Sequence, residues 1–218
     1  MKRMTCWVTL AELILIIVLA IRCSTEVAGV GTTNGCTVTA SASCVEGSAP
    51  PFSAVLLFDV NYTPYIDSGL GIITSADEQG RFRFKALSNG VLNVVILDES
   101  GRNAVLFDSL IVGNGGTRDT ARSSFLSSTG TITGAVACPS TPQGEILVYC
   151  TGTDYYSLLS WPGDYLLPSV PEGAYRIQAA VLGPDSAGIQ PSILLRSNTV
   201  SVIVAKGAVS RADTLTVQ

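Results

Sequence analysis

From Thr37 to Gln218 the chain alternates apolar and polar residues in short runs, broken by clusters of Gly, Pro, Asn, Asp and Ser. Alternation at period two turns one side chain to a core and the next to water, which is the signature of a half-buried strand. Val200-Ser-Val202-Ile-Val204 shows it most clearly. The first half predicts strands at Thr37–Ser43, Ala54–Val60, Leu70–Ser75, Arg81–Leu87, Val91–Asp98, Ala104–Val112 and Thr117–Phe125. The second predicts them at Thr131–Ala137, Glu145–Thr151, Tyr156–Trp161, Asp164–Leu167, Ala174–Val181, Ile193–Val204 and Val209–Val217. Helical periodicity is missing from this whole stretch. The expected fold is all-β: two tandem antiparallel Greek-key β-sandwiches of about seven strands each, following an N-terminal signal helix.

The two halves share a pattern. Gly80, Phe82, Phe84, Leu87, Gly90, Leu92 and Val94 match Gly163, Tyr165, Leu167, Val170, Gly173, Tyr175 and Ile177, each pair 83 residues apart. Period two, a Gly-containing turn and period two again predict a β-hairpin written twice, with the turn Gly supplying φ > 0. Thr37–Cys44 aligns with Thr131–Cys138 at an offset of 94, so the second copy is 11 residues shorter between its first strand and the repeated element. Ser127-Ser128 marks the boundary, giving domains at 36–127 and 128–218. Units of about 90 residues bury little more than about 60% of their unfolded surface, so each gains from a neighbour.

The N-terminus reads as a signal peptide over residues 1–22. A short basic start precedes nine apolar residues, Leu13 to Ile21, well short of the roughly 20 that span a bilayer. Cys23 closes this stretch in the manner of a bacterial lipoprotein signal, and is the expected lipidation site. Plain secretion or an uncleaved anchor are the alternatives. Residues 23–35, rich in Gly and Thr, read as a flexible tether. Thirteen basic residues lose Lys2, Arg3 and Arg22 on processing, and seventeen acidic residues lose Glu12, leaving a net charge of −6. Such a surface excludes nucleic acid as a partner.

Cys36, Cys44, Cys138 and Cys150 remain, two per half. A single strand over 37–43 would hold Cys36 and Cys44 about 26 Å apart, too far for a disulfide. Cys138 and Cys150 flank a turn-rich stretch, so a bridge across that hairpin competes with two buried thiols.

The pattern Gly-x-aromatic-x-apolar-x-x-Val-Pro-x-Gly-x-Tyr-x-Ile at Gly163–Ile177 resembles the carboxypeptidase regulatory-like domain. The resemblance covers Thr37–Gln218 as two copies, the first lacking the Pro and the Tyr. It implies a transthyretin-like, non-catalytic sandwich found in bacterial envelope and secreted proteins, with related sandwiches that bind starch or other glycans.

Catalytic chemistry finds little support. With no histidine, Ser-His-Asp and Cys-His catalysis and histidine-bearing zinc sites are excluded. No cofactor is expected. Asp77–Gly80 and Asp98–Gly101 read as plain turns rather than calcium loops. Tyr155, Tyr156 and Trp161, beside Asp154 and Asp164, form the one binding constellation, suited to stacking on sugar faces. Core or edge packing is the competing reading, since alternation puts Tyr156 and Trp161 on opposite faces. Asn61, Tyr62, Tyr65 and Asp67 occupy the comparable stretch of the first half. These readings converge on a non-catalytic lipoprotein of the bacterial cell envelope, in the outer membrane rather than the inner, or else secreted. Its partners would be the membrane through an N-terminal lipid, and an envelope protein or polysaccharide. A carbohydrate-binding module is the alternative.

Overall fold

The computed structural model describes residues 35–41, 43–67, 71–113, 119–123, 125–139, 144–183 and 191–218. The signal segment, the tether to residue 34 and the lipidation site Cys23 lie outside them. Asn34–Gln218 form one compact unit. Its described residues are all-β and contain no helix. In chain order the strands are β1 (Cys36–Ala40), β2 (Val45–Ser48), β3 (Ala54–Asp59), β4 (Ile72–Ser75), β5 (Arg81–Phe84), β6 (Gly90–Leu97), β7 (Asn103–Val112), β8 (Asp119–Ser123) and β9 (Ser127–Ser128). They continue as β10 (Gly130–Ala137), β11 (Ile146–Cys150), β12 (Tyr156–Leu159), β13 (Asp164–Val170), β14 (Gly173–Leu182), β15 (Ile193–Arg196), β16 (Val200–Val204), β17 (Val209–Arg211) and β18 (Leu215–Thr216).

The first nine strands make a sandwich of two sheets, ordered β5-β2-β1-β8 and β4-β3-β6-β7-β9. Between them lies a core that includes Val38, Val45, Leu57, Phe84, Ile96 and Phe107. The last nine make a second sandwich. One sheet is β13-β10-β17 with β18 also on β10; the other is β12-β11-β14-β15 with β16 also on β14. Ile132, Val148, Leu167, Tyr175, Val202 and Leu215 help fill its core. Sandwich two is not purely antiparallel, because β17 and β18 both run parallel to β10.

The repeated element is not a hairpin. β5 lies in one sheet and β6 in the other, and β13 and β14 are divided in the same way. The Gly-containing turn is a crossover between sheets. Period-two apolar positions on both sides still face inward, because the two strands line one core from opposite walls. The left-handed residue common to both crossovers falls not on the turn Gly but on Ala86 (φ 57°) and Ser169 (φ 58°), again 83 residues apart. The aromatic that opens each copy crosses a glycine on the next strand. Phe82 pairs with Gly47, and Tyr165 with Gly134. A Cβ at those glycines would stand 2.7 Å and 2.6 Å from the respective rings.

One predicted strand ends early and two divide. Thr37–Ser43 stops at Ala40, and the chain turns back as β2, which separates β1 from β5. Sandwich two has no such insert, since β10 meets β13 directly. That difference and the longer connection from β3 to β4 account for the shorter second copy. Ile193–Val204 breaks at Ser197, whose hydroxyl accepts the Ala179 N–H at 2.8 Å between β15 and β16. Val209–Val217 splits into β17 and β18. The expected boundary at Ser127-Ser128 is β9, which pairs back onto β7.

The same topology corrects the cysteine argument. Cys36 and Cys44 sit at opposite ends of the β1–β2 hairpin, which separates them as surely as one strand would. Cys138 and Cys150 do not flank a hairpin, because β10 and β11 belong to different sheets. All four are free thiols in the structure.

Candidate functional site

Residues 60–67, which leave β3, are tied by carboxylate bonds to their own backbone. Asp59 accepts the N–H of Asn61 at 2.8 Å, and the Asp67 carboxylate accepts the N–H of Thr63 at 2.7 Å. Tyr65 takes a left-handed backbone, φ 69°, between them. The Tyr62 ring packs on Phe58 with centroids 4.9 Å apart. This loop reaches sandwich two. Its Tyr62 carbonyl accepts the N–H of Gly152 at 2.8 Å, and Ile66 packs against Leu147, Tyr149, Ala180 and Leu182. Beneath it, the buried Tyr149 hydroxyl donates to Gln178 Oε1 at 3.0 Å and accepts from Arg196.

Loop and strand edge together expose an aromatic pair. The rings of Tyr65 and Tyr156 lie 6.0 Å apart at 47°. They are 37% and 43% exposed, so each leaves part of a face open to solvent. The surroundings are acidic. The Tyr62 phenol is raised by burial and then by Asp154, Asp67 and Tyr156. Asp154 is solvent-exposed as a residue, yet the protein around its carboxyl raises its pKa against a hydrogen bond from its own backbone. Burial also raises the Tyr149 phenol, opposed by the Arg196 guanidinium.

Of the three aromatics singled out by sequence, only Tyr156 belongs here. Tyr155 packs against the core of sandwich two, where its hydroxyl is buried without a partner and burial pushes its pKa far up. Trp161, 66% exposed, lies beyond the other end of β12. The ring that joins Tyr156 is Tyr65, from the other half of the chain. Sequence alignment of the halves makes these stretches look equivalent, whereas the fold makes them neighbours. The pair can offer flat C–H-binding faces next to carboxylate acceptors. Among the described residues no group of three His, Cys, Asp or Glu side chains could hold a metal ion. Asp77 and Asp98 spend their carboxylates on their own turns, accepting N–H groups of Gln79 and Arg81, and of Arg102 and Asn103. Among the described residues no helix is long and apolar enough to cross a membrane.

No family model matches the chain, and no curated protein matches it. Among solved structures it is similar to GBS52, the minor pilin of Streptococcus agalactiae, at 12% identity and a TM-score of 0.29, over 78% of this chain and 84% of that one. It is also similar to a leucine-rich repeat protein from Bacteroides thetaiotaomicron, at 12% identity and a TM-score of 0.23, over 84% of this chain and 27% of the other.

Proposed function

We propose that the protein is a non-catalytic interaction module of the bacterial cell envelope, carried on a lipid at Cys23 and offering two coupled sandwiches to a partner. The observation that supports this reading is the junction. A backbone hydrogen bond from Gly152 to Tyr62 and a buried amide, Asn93, tie the sandwiches together. A rigid pair on a tether presents its loops in a fixed arrangement, which lowers the ordering penalty on binding. The resemblance to carboxypeptidase regulatory-like domains points the same way. The test is intact mass and membrane partitioning in a bacterial host, beside Cys23→Ala. Expected is a membrane-bound wild type carrying diacylglycerol and acyl mass, and an unprocessed, unlipidated variant. A cleaved, lipid-free wild type in the medium would overturn the tether.

A carbohydrate-binding module is the second reading, favoured by the exposed Tyr65–Tyr156 pair with its carboxylates. Polysaccharide binding that Tyr65→Ala and Tyr156→Ala both weaken, while Trp161→Ala leaves it unchanged, is the outcome it requires. Affinity electrophoresis in gels containing soluble glycans reads this out.

A further inference from the structure

Between the sandwiches, away from the tyrosine pair, lies a cleft of about 280 Å³. It sits at the small end of ligand pockets, which begin at about 300 Å³, and at a domain junction, where such pockets are common. Val60, Leu106, Ala174 and Tyr175 are its apolar lining residues. Its polar wall comes from a defect in β7. The β6–β7 register slips between Leu92 and Val94, so that Asp108 and Ser109 bulge out opposite Asn93. Ser109 adopts a left-handed backbone, φ 57°, which a serine holds only against strain. The buried Asn93 repairs the ladder, accepting the Ser109 N–H at 3.0 Å and donating to the Gly152 carbonyl at 2.9 Å. Bulges of this kind re-aim side chains, and here the re-aimed residues line the cleft.

Across from them stand Arg176 and Thr151, joined through their backbones at 3.0 Å. The Asp108 carboxylate is close enough to contribute to raising the Tyr175 phenol, after burial and its nearer neighbours. Asp108 and Arg176 form no ion pair with each other, and the side chains of Asp108, Ser109, Thr151 and Arg176 have no protein partner among the described residues. A guanidinium with the Thr151 hydroxyl on one side, a carboxylate with the Ser109 hydroxyl on the other and apolar residues in the same lining are complementary to one class of molecule. We propose that the cleft binds a small organic carboxylate whose far end carries hydrogen-bond donors. Arg176 takes the carboxylate in a two-pronged contact, and Asp108, Ser109 and Thr151 take the donors. The donors can be the hydroxyls of a sugar acid or the ammonium of an amino acid.

The test is titration of the full chain, in detergent, with D-galacturonate, L-serine and D-galactose, followed by calorimetry and saturation-transfer NMR. Saturable binding of galacturonate or serine, at least tenfold tighter than galactose, supports the proposal. Arg176→Gln should then weaken it at least tenfold at an unchanged melting temperature. Asp108→Asn should weaken serine more than galacturonate, which distinguishes ammonium from hydroxyl donors. No binding of either acid, galactose binding as well as galacturonate, or indifference to Arg176→Gln would each overturn it. None of these outcomes depends on Cys23 or on Tyr65 and Tyr156.

Discussion

Ala86 and Ser169 hold the strained corner of each crossover without being glycine. A left-handed backbone costs an L-residue about 1–2 kcal/mol, while glycine gives back about 0.5–1 kcal/mol through the greater entropy of its unfolded chain. Ala86→Gly and Ser169→Gly are therefore expected to stabilise the protein by about 0.5–1 kcal/mol each, read as a higher urea midpoint at constant slope. A lower midpoint would mean the methyl or hydroxyl contributes more than the strain removes. A second residue-scale effect belongs to Cys36, whose thiol burial raises from 9.0 to about 11. The folded state keeps this proton where the unfolded chain releases it. The associated stability is fully present below about pH 9 and is lost as pH rises towards about 11. Two pKa units correspond to about 3 kcal/mol at the upper end. Urea midpoints should fall over that window, and Cys36→Ala should flatten the fall despite a lower midpoint at pH 7. Cys150 and the core tyrosines act in the same direction, so the curve should become shallower without turning flat.

At the scale of strands, the paired glycine and aromatic of each sandwich is the sharpest constraint. Tyr165 covers Gly134, and its hydroxyl would stand 2.5 Å from any Cβ there. The ring is held by the core, so it cannot swing aside freely. Gly134→Ala should destabilise by about 1–3 kcal/mol, the range of overpacked cores. Thermal denaturation measures it, and Gly134→Ala/Tyr165→Leu should recover part of the loss; failure to recover would show that the glycine is needed for its backbone instead. This relation was invisible in the sequence, although both residues lie in readable strands. Alternation reports which side chains face a core, and it located nearly every strand. It carries no information on which strand lies alongside. Two inward-facing runs joined by a short Gly turn look the same whether they pair or face each other across the core. The hairpin expected at Gly80–Val94 and Gly163–Ile177 is therefore a crossover, and β2 (Val45–Ser48) lies beyond the run Thr37–Ser43, where no strand is expected. The candidate site was legible only as composition. Tyr156 and Tyr65 could both be seen as aromatics near carboxylates, but their 6.0 Å separation depends on how one sandwich docks on the other.

That docking decides how the whole molecule melts. Sandwiches of this size would be marginal apart, and the contacts between them are buried and specific. Asn93, only 6% exposed, bridges the Gly152 carbonyl of sandwich two to the bulge in the neighbouring strand β7. Gly152 has φ 77°, and a Cβ there would fall 2.5 Å from the Asn93 amide and 2.8 Å from the Val60 carbonyl. Leu106 of β7 adds apolar contact by packing against the core of sandwich two. Removing the amide leaves the buried Gly152 carbonyl without its partner, at about 1–3 kcal/mol, and frees the part-buried Ser109 N–H. The wild type should unfold in one calorimetric transition whose van't Hoff and calorimetric enthalpies agree. In Asn93→Ala and in Gly152→Ala the lost coupling should divide that peak in two, the sandwich with the weaker core leaving first. The division matters more than the lowered temperature, because any core variant lowers the temperature and only a junction variant separates the halves. Two resolved transitions in the wild type would show that the sandwiches are stable independently, and the fixed presentation proposed for this protein would lose its support.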